Sequence, residues 1–233
     1  MIKSQLNNQY EYINENLKEI LSTVNEAKIK ANREDEEIHI MAVTKTVPAD
    51  AVNFAIQNGI KLIGENRVQE YMSKYEDYDK NANVHFIGHL QTNKIKYIID
   101  KVNMIESVSS IRLAKEINKR CERINKKMDV LVQINCDEES KGGIPFPQAQ
   151  EFVEEVSTLE NINVRGLMTI PPIDEAEEYF EKMRRLYIDI SSKRLDNVSM
   201  DFLSMGMSGD FEQAILHGSN IIRIGTMLFG ARK

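Results

Sequence analysis

A lysine directly after an apolar, β-rich run is the first candidate for chemistry in this chain. Lys45 follows Ile38-His39-Ile40-Met41-Ala42-Val43-Thr44 and precedes Thr46-Val47-Pro48. An ammonium at the end of a strand can lose its proton where burial and nearby positive charge lower its pKa, and the neutral amine can then attack an aldehyde to form a Schiff base. Position alone leaves that reading open beside a solvated rim lysine. Towards the other end, Ser204-Met205-Gly206-Met207-Ser208-Gly209-Asp210 and Arg223-Ile224-Gly225-Thr226 combine glycines with the hydroxyls of Ser208 and Thr226. Glycines let a ligand approach the backbone, and free amides at helix starts complement an anion such as a phosphate. Ordinary glycine turns and helix caps account for the same local pattern equally well.

The remaining polar residues give weaker signals. Asn66 closes the second strand candidate and reads either as an amide contact to a ligand or as a helix cap, while Glu65 and Arg67 beside it are spaced for a local ion pair. His85 and His89 flank Phe86-Ile87-Gly88 in a strand-to-loop segment, where four residues extend to roughly 13 Å. Shared metal ligation is therefore not expected. His39 and His217 read as a strand residue and a helix-terminal cap, and Met168, Met205 and Met207 as packing around the barrel or a bound ring.

These residues need a frame. Apolar Leu6, Tyr10, Ile13, Leu17, Ile20, Leu21, Val24 and Ala27 recur every three or four positions, which predicts an amphipathic helix over about 5–31 ahead of the first strand. Strand candidates follow at 38–43, 61–63, 84–87, 102–105, 128–135, 164–167, 199–203 and 221–224. Helices are expected after Pro48, from about Arg67, from Thr92, near Ser110, and over 147–159, 174–195 and 211–217. Eight strands alternating with helices suit a closed βα barrel or an open doubly wound sheet. The chain has no strand–Gly-x-Gly-x-x-Gly–helix unit and no Walker loop, whereas its suggestive residues follow strands, where barrels place their chemistry. The expectation is an α/β fold, one (β/α)8 TIM-type barrel domain spanning 1–233 with an additional N-terminal helix.

Composition narrows the function classes. With 233 residues, 42% hydrophobic and 28% charged, the chain can bury one substantial core. Its net charge of −6 and pI near 5.4 give no general attraction to nucleic acid or anionic lipid. The amino-terminal stretch lacks an apolar signal core and no run approaches about 18 apolar residues, so a cytoplasmic protein without a membrane partner is expected. Cys121 and Cys136 read as reduced thiols. A monomer is expected.

Taken together, several motifs are specific. Ala42-Val43-Thr44-Lys45-Thr46, Ile63-Gly64-Glu65-Asn66-Arg67-Val68-Gln69-Glu70, His85-Phe86-Ile87-Gly88-His89-Leu90-Gln91 with Asn93-Lys94, Gly166-Leu167-Met168, Ser204-Met205-Gly206-Met207-Ser208, and Arg223-Ile224-Gly225-Thr226 with Phe229-Gly230-Ala231-Arg232 resemble the YggS/PROSC family of pyridoxal phosphate homeostasis proteins. The resemblance spans nearly the whole chain, in the family's order and spacing, and implies a fold like the barrel domain of alanine racemase. It implies that pyridoxal 5′-phosphate is held as a Schiff base on Lys45, that Ser208, Gly225 and Thr226 hold the phosphate, that Arg223 faces the pyridine nitrogen, and that Asn66 contacts the cofactor. An arginine there disfavours a pyridinium and makes the ring a poorer electron sink. Many family members carry a second lysine two positions after the first, where this chain has Val47; Lys141 matches another family lysine and offers a second rim amine.

The implied role is a non-catalytic carrier or regulator of the cofactor, with pyridoxal-phosphate-dependent apoenzymes as partners. The alternative is an amino-acid racemase using the same lysine. That reaction needs a base on each face of the substrate α-carbon, and alanine racemase draws its second base from another domain and subunit. No such domain is evident here, and no residue is assigned as catalytic.

Overall fold

The computed structural model describes residues 2–136 and 142–231, with side chains from Gln9 onward. The first helix, α1 (Ile2–Lys30), turns Tyr10, Ile13, Leu17, Ile20, Val24 and Ala27 into the core, following their helical spacing. Leu21, counted in the same stripe, instead faces solvent at 45% exposure. It follows Ile20 directly, and one residue along a helix turns the side chain away from the buried face.

The alternation then proceeds as β1 (His39–Val43), α2 (Ala49–Gln57), β2 (Leu62–Glu65), α3 (Val68–Lys74), β3 (Asn83–Phe86), α4 (Ile95–Ile98), β4 (Met104–Val108), α5 (Ile111–Arg123) and β5 (Met128–Asn135). After these come β6 (Ile144–Pro145), α6 (Ala149–Ser157), β7 (Ile162–Thr169), α7 (Ala176–Ser191), β8 (Val198–Met207), α8 (Phe211–Leu216), β9 (Ile221–Ile224) and α9 (Thr226–Phe229). The helix expected from Thr92 begins as a 3-10 turn at Thr92–Lys94 before α4.

All the strand pairings are parallel, β4 pairs with β5, and β1 pairs with both β2 and β9, so eight strands close into a ring surrounded by helices. This is the expected TIM barrel. The ninth strand, β6, is an addition to the eight expected: it pairs only with the end of β5 and lies outside the ring. Two residues are too short to leave a periodic signal.

Side chains alternate across each strand. Ala42, Ile63, Phe86, Ile105, Val130 and Ile222 belong to the large core shared with the helices. Inside the ring lie Met41, Leu62, Ile87 and Ile221 in one cluster and Met104, Leu131 and Met168 in another, with Phe202 packed against both. The ring is thus filled rather than hollow. What remains open is the end that follows β1, β2, β8 and β9.

Candidate functional site

A cavity of about 710 Å³ occupies that end, and its walls include Lys45, Asn66, Ser208, Arg223, Gly225 and Thr226. The fold therefore brings all six residues named from the sequence to one place. Lys45 shares the inward parity of Met41 and Val43 on β1, which is why it reaches the barrel mouth. Tyr10 and Tyr12 of α1 also line the cavity, an unforeseen contribution from outside the ring.

Arg223 sits at the boundary between the cavity and the barrel interior, 3% exposed. Its Nη1 donates to Ser204 Oγ at 2.8 Å and its Nη2 to the Thr169 carbonyl at 2.6 Å. Ser204 in turn donates to Glu106 Oε2 at 2.6 Å, and His85 Nδ1 lies 2.6 Å from Glu106 Oε1. Glu106 is fully buried. Burial pushes the Arg223 guanidinium down from its usual value while Glu106 and Asp210 oppose that push, and an arginine keeps its proton under such conditions. The guanidinium is thereby fixed from below by a desolvated carboxylate acting through one serine. His85 is committed to this chain of hydrogen bonds, and no group of three metal-binding side chains occurs among the described residues.

A further part of the wall is built from backbone. Gly225 precedes α9; its carbonyl accepts from the Leu228 and Phe229 N–H groups, so the Thr226 and Met227 amides come before the first donors of the helical ladder. Ser208 follows Gly206, which adopts φ 93° and whose replacement by any L residue would set a Cβ 2.6 Å from that of Ala214. Met207 lines the cavity, Met168 fills the barrel and Met205 packs outward with the helices, so the three methionines divide among separate tasks.

Asn66 does not cap α3, whose N-cap is Arg67 without a side-chain bond. Its Oδ1 is buried without a hydrogen-bond partner among the described residues. Gly88 lets β3 and β2 approach there, since a Cβ on Gly88 would fall 2.0 Å from the Asn66 carbonyl oxygen. Glu65 points the other way, out of the ring. It accepts from Thr44 Oγ1 at 2.7 Å and from the Tyr78 hydroxyl, and lies 3.4 Å from Lys74 Nζ. The expected Glu65–Arg67 pair is thus replaced by Glu65–Lys74, because strand parity sends Glu65 under α3 while Arg67 is exposed. Lys141 lies outside the described residues.

An amine, a buried guanidinium, a buried amide oxygen without a donor among the described residues, and hydroxyls beside the backbone amides that open α9 together suit a flat aldehyde that bears a phosphate. Both cysteines are buried thiols outside any disulfide, and burial pushes the Cys121 thiol up to about 11. No helix among the described residues is long and apolar enough to cross a membrane.

Residues 16–233 match the family described as alanine racemase, N-terminal domain. The chain is 44% identical over 225 residues to a pyridoxal phosphate homeostasis protein of Aquifex aeolicus, covering 94% of this chain and 98% of the relative. A crystal structure of an unknown protein from Bifidobacterium adolescentis superposes with a TM-score of 0.90 at 32% identity, covering 94% of this chain and 95% of the other. The structure of PipY from Synechococcus elongatus with PLP bound gives a TM-score of 0.81 at 28% identity, covering 94% of this chain and 100% of that one.

Proposed function

The chain belongs to the alanine racemase N-terminal domain family and, within it, to the pyridoxal phosphate homeostasis proteins, and from that premise we propose that it holds pyridoxal 5′-phosphate on Lys45 as a carrier or regulator of the cofactor. The observation that carries this reading is the convergence of Lys45, Asn66, Ser208, Arg223, Gly225 and Thr226 on one cavity. Lys45 supplies the amine for the Schiff base. Ser208 and the amides opening α9 bind the phosphate, and Asn66 meets a polar ring substituent. When bound, the cofactor supplies an electrophilic aldehyde and an electron-withdrawing ring.

Arg223 argues for retention over catalysis. Its fixed positive charge opposes protonation of a facing ring nitrogen, which limits the ring's capacity to take up electrons from a substrate carbon. In this reading residues 1–233 act as one cytoplasmic, monomeric binding unit that releases cofactor to apoenzymes.

Absorption spectroscopy followed by borohydride reduction and peptide mapping tests the proposal. The loaded protein is expected to show a Schiff-base chromophore, with reduced cofactor stoichiometrically on Lys45. Attachment to Lys94 or Lys141 with Lys45 unmodified would reject it. The carrier role is tested by restoring activity to an unrelated apoenzyme with the loaded protein as sole cofactor source, alongside chiral analysis of amino acids. Robust racemisation that Lys45→Ala abolishes would favour the enzyme instead.

A further inference from the structure

Two charged side chains of α3 grip the turn that carries Lys45, from the side facing away from the cavity. Glu70 Oε1 accepts the Thr46 N–H at 2.5 Å. Lys74 Nζ donates to the Thr44 carbonyl at 3.0 Å and to the Val47 carbonyl at 3.4 Å, and it bonds Glu70 Oε1 at 2.9 Å. The backbone is therefore held on both sides of Lys45. The Val47 N–H closes the same turn on the Thr44 carbonyl at 3.0 Å.

Thr46 shows what the grip imposes. Its φ of 64° lies in the left-handed region, which a β-branched residue adopts only where its surroundings over-determine the backbone. Glu65 completes the unit, taking the Thr44 hydroxyl while lying 3.4 Å from Lys74 Nζ. Lys74 and Glu70 side chains are 12% and 21% exposed, shielded enough for their bonds to orient the turn. Burial pushes the Glu70 carboxyl up, but the Lys74 ammonium and the Thr46 N–H outweigh it and hold Glu70 below its usual value. None of Glu65, Glu70 and Lys74 is among the cavity-lining residues.

We propose that Glu70 and Lys74 are positioning residues for the Lys45 linkage: they fix the 44–47 turn so that the Lys45 amine meets the aldehyde, and so set the balance between linked and merely bound cofactor. The inference rests on the reading of Lys45 given above. In the linkage the neutral amine adds to the aldehyde carbon, a C=N bond forms, and the carbonyl oxygen leaves as water, with no oxidant or reductant required. Such a condensation between held partners depends steeply on alignment, whereas binding of the ring and phosphate does not.

The test compares two ligands on the full chain. Pyridoxamine 5′-phosphate shares the ring and phosphate but carries an amine in place of the aldehyde, so it cannot be linked to Lys45. Glu70→Ala and Lys74→Met should bind it within about twofold of the wild type, yet hold pyridoxal 5′-phosphate about tenfold more weakly and with a smaller borohydride-trapped fraction. Glu70→Gln keeps a carbonyl oxygen for the Thr46 N–H and should recover most of the linkage. Equal weakening towards both ligands would mean a merely structural role and overturn the proposal, as would unchanged linkage in the alanine and methionine variants. Unchanged variants beside a wild type trapped on Lys45 overturn this inference alone; a wild type trapped elsewhere overturns the Lys45 reading with it.

Discussion

Lys45 and Arg223 face the same cavity but are supported in opposite ways. Behind Arg223 stand Ser204, Glu106 and His85, all sealed inside the barrel and joined by bonds of 2.6 to 2.8 Å. Behind Lys45 stand Glu70 and Lys74, on the outer side of the ring and partly open to water. Charges sealed from water hold each other so strongly that disturbing one disturbs the fold, while charges near water can hold geometry at little cost to stability. One end of the site is thus part of the barrel's core, and the other is a turn held from outside the ring.

The sharpest expected contrast comes from Lys45→Ala, which should abolish borohydride-trappable cofactor altogether while changing unfolding free energy by no more than about 0.5 kcal/mol. Denaturant unfolding read beside mass spectrometry checks both halves. Glu106→Ala should do the reverse, costing about 3–5 kcal/mol of stability because it removes a fully buried carboxylate that offsets the Arg223 charge and leaves Ser204 and His85 without their acceptor. Stability within about 1 kcal/mol of the wild type would show that the buried relay is not a structural unit.

The phosphate contacts proposed for Ser208 and the amides opening α9 can be tested apart from both supports. Pyridoxal without its phosphate should bind more weakly, each lost charge-assisted bond being worth about 1.5–3 kcal/mol, and Ser208→Ala should reproduce one such step. Equal affinity for the two aldehydes, measured by equilibrium titration, would remove those contacts from the site. The smallest effect concerns acid. Glu70 is held below its ordinary pKa, so its contribution to stability is present above the usual carboxylate range and fades as pH falls through its folded value. Glu70→Gln should flatten the acid limb of the unfolding profile slightly, whereas an identical limb would place the acid sensitivity elsewhere.

The barrel was legible because its strands are strongly patterned: β5 and β9 run over the very spans their apolar residues mark, Met128–Asn135 and Ile221–Ile224. The six cavity residues were legible as strand ends and glycine-rich turns. Their supports were not. Ser204 and Glu106 are 98 residues apart and meet only because the ring closes, so no local spacing records the contact. Glu106 did leave one trace, a carboxylate among the apolar neighbours of Met104-Ile105-Glu106-Ser107-Val108. Glu70 closes the segment 63–70, but its partner is the Thr46 backbone, which side-chain identity does not reveal.

The joint between α1 and α9 carries a consequence for assembly. Asn16 donates to the Leu228 carbonyl at 3.0 Å and Tyr12 to that of Phe229 at 3.4 Å, across separations of 212 and 217 residues, while β1 pairs with β9. Residues from both helices line the cavity. During synthesis, α1 and β1 leave the ribosome long before their partners exist, and contacts so distant in sequence form late and slowly. A nascent chain lacking β9 and α9 therefore has Lys45 and Ser208 but neither Arg223 nor the amides that open α9. The cavity as a whole is thus a product of barrel closure: its lining is complete only when the last strand and helix have joined the first.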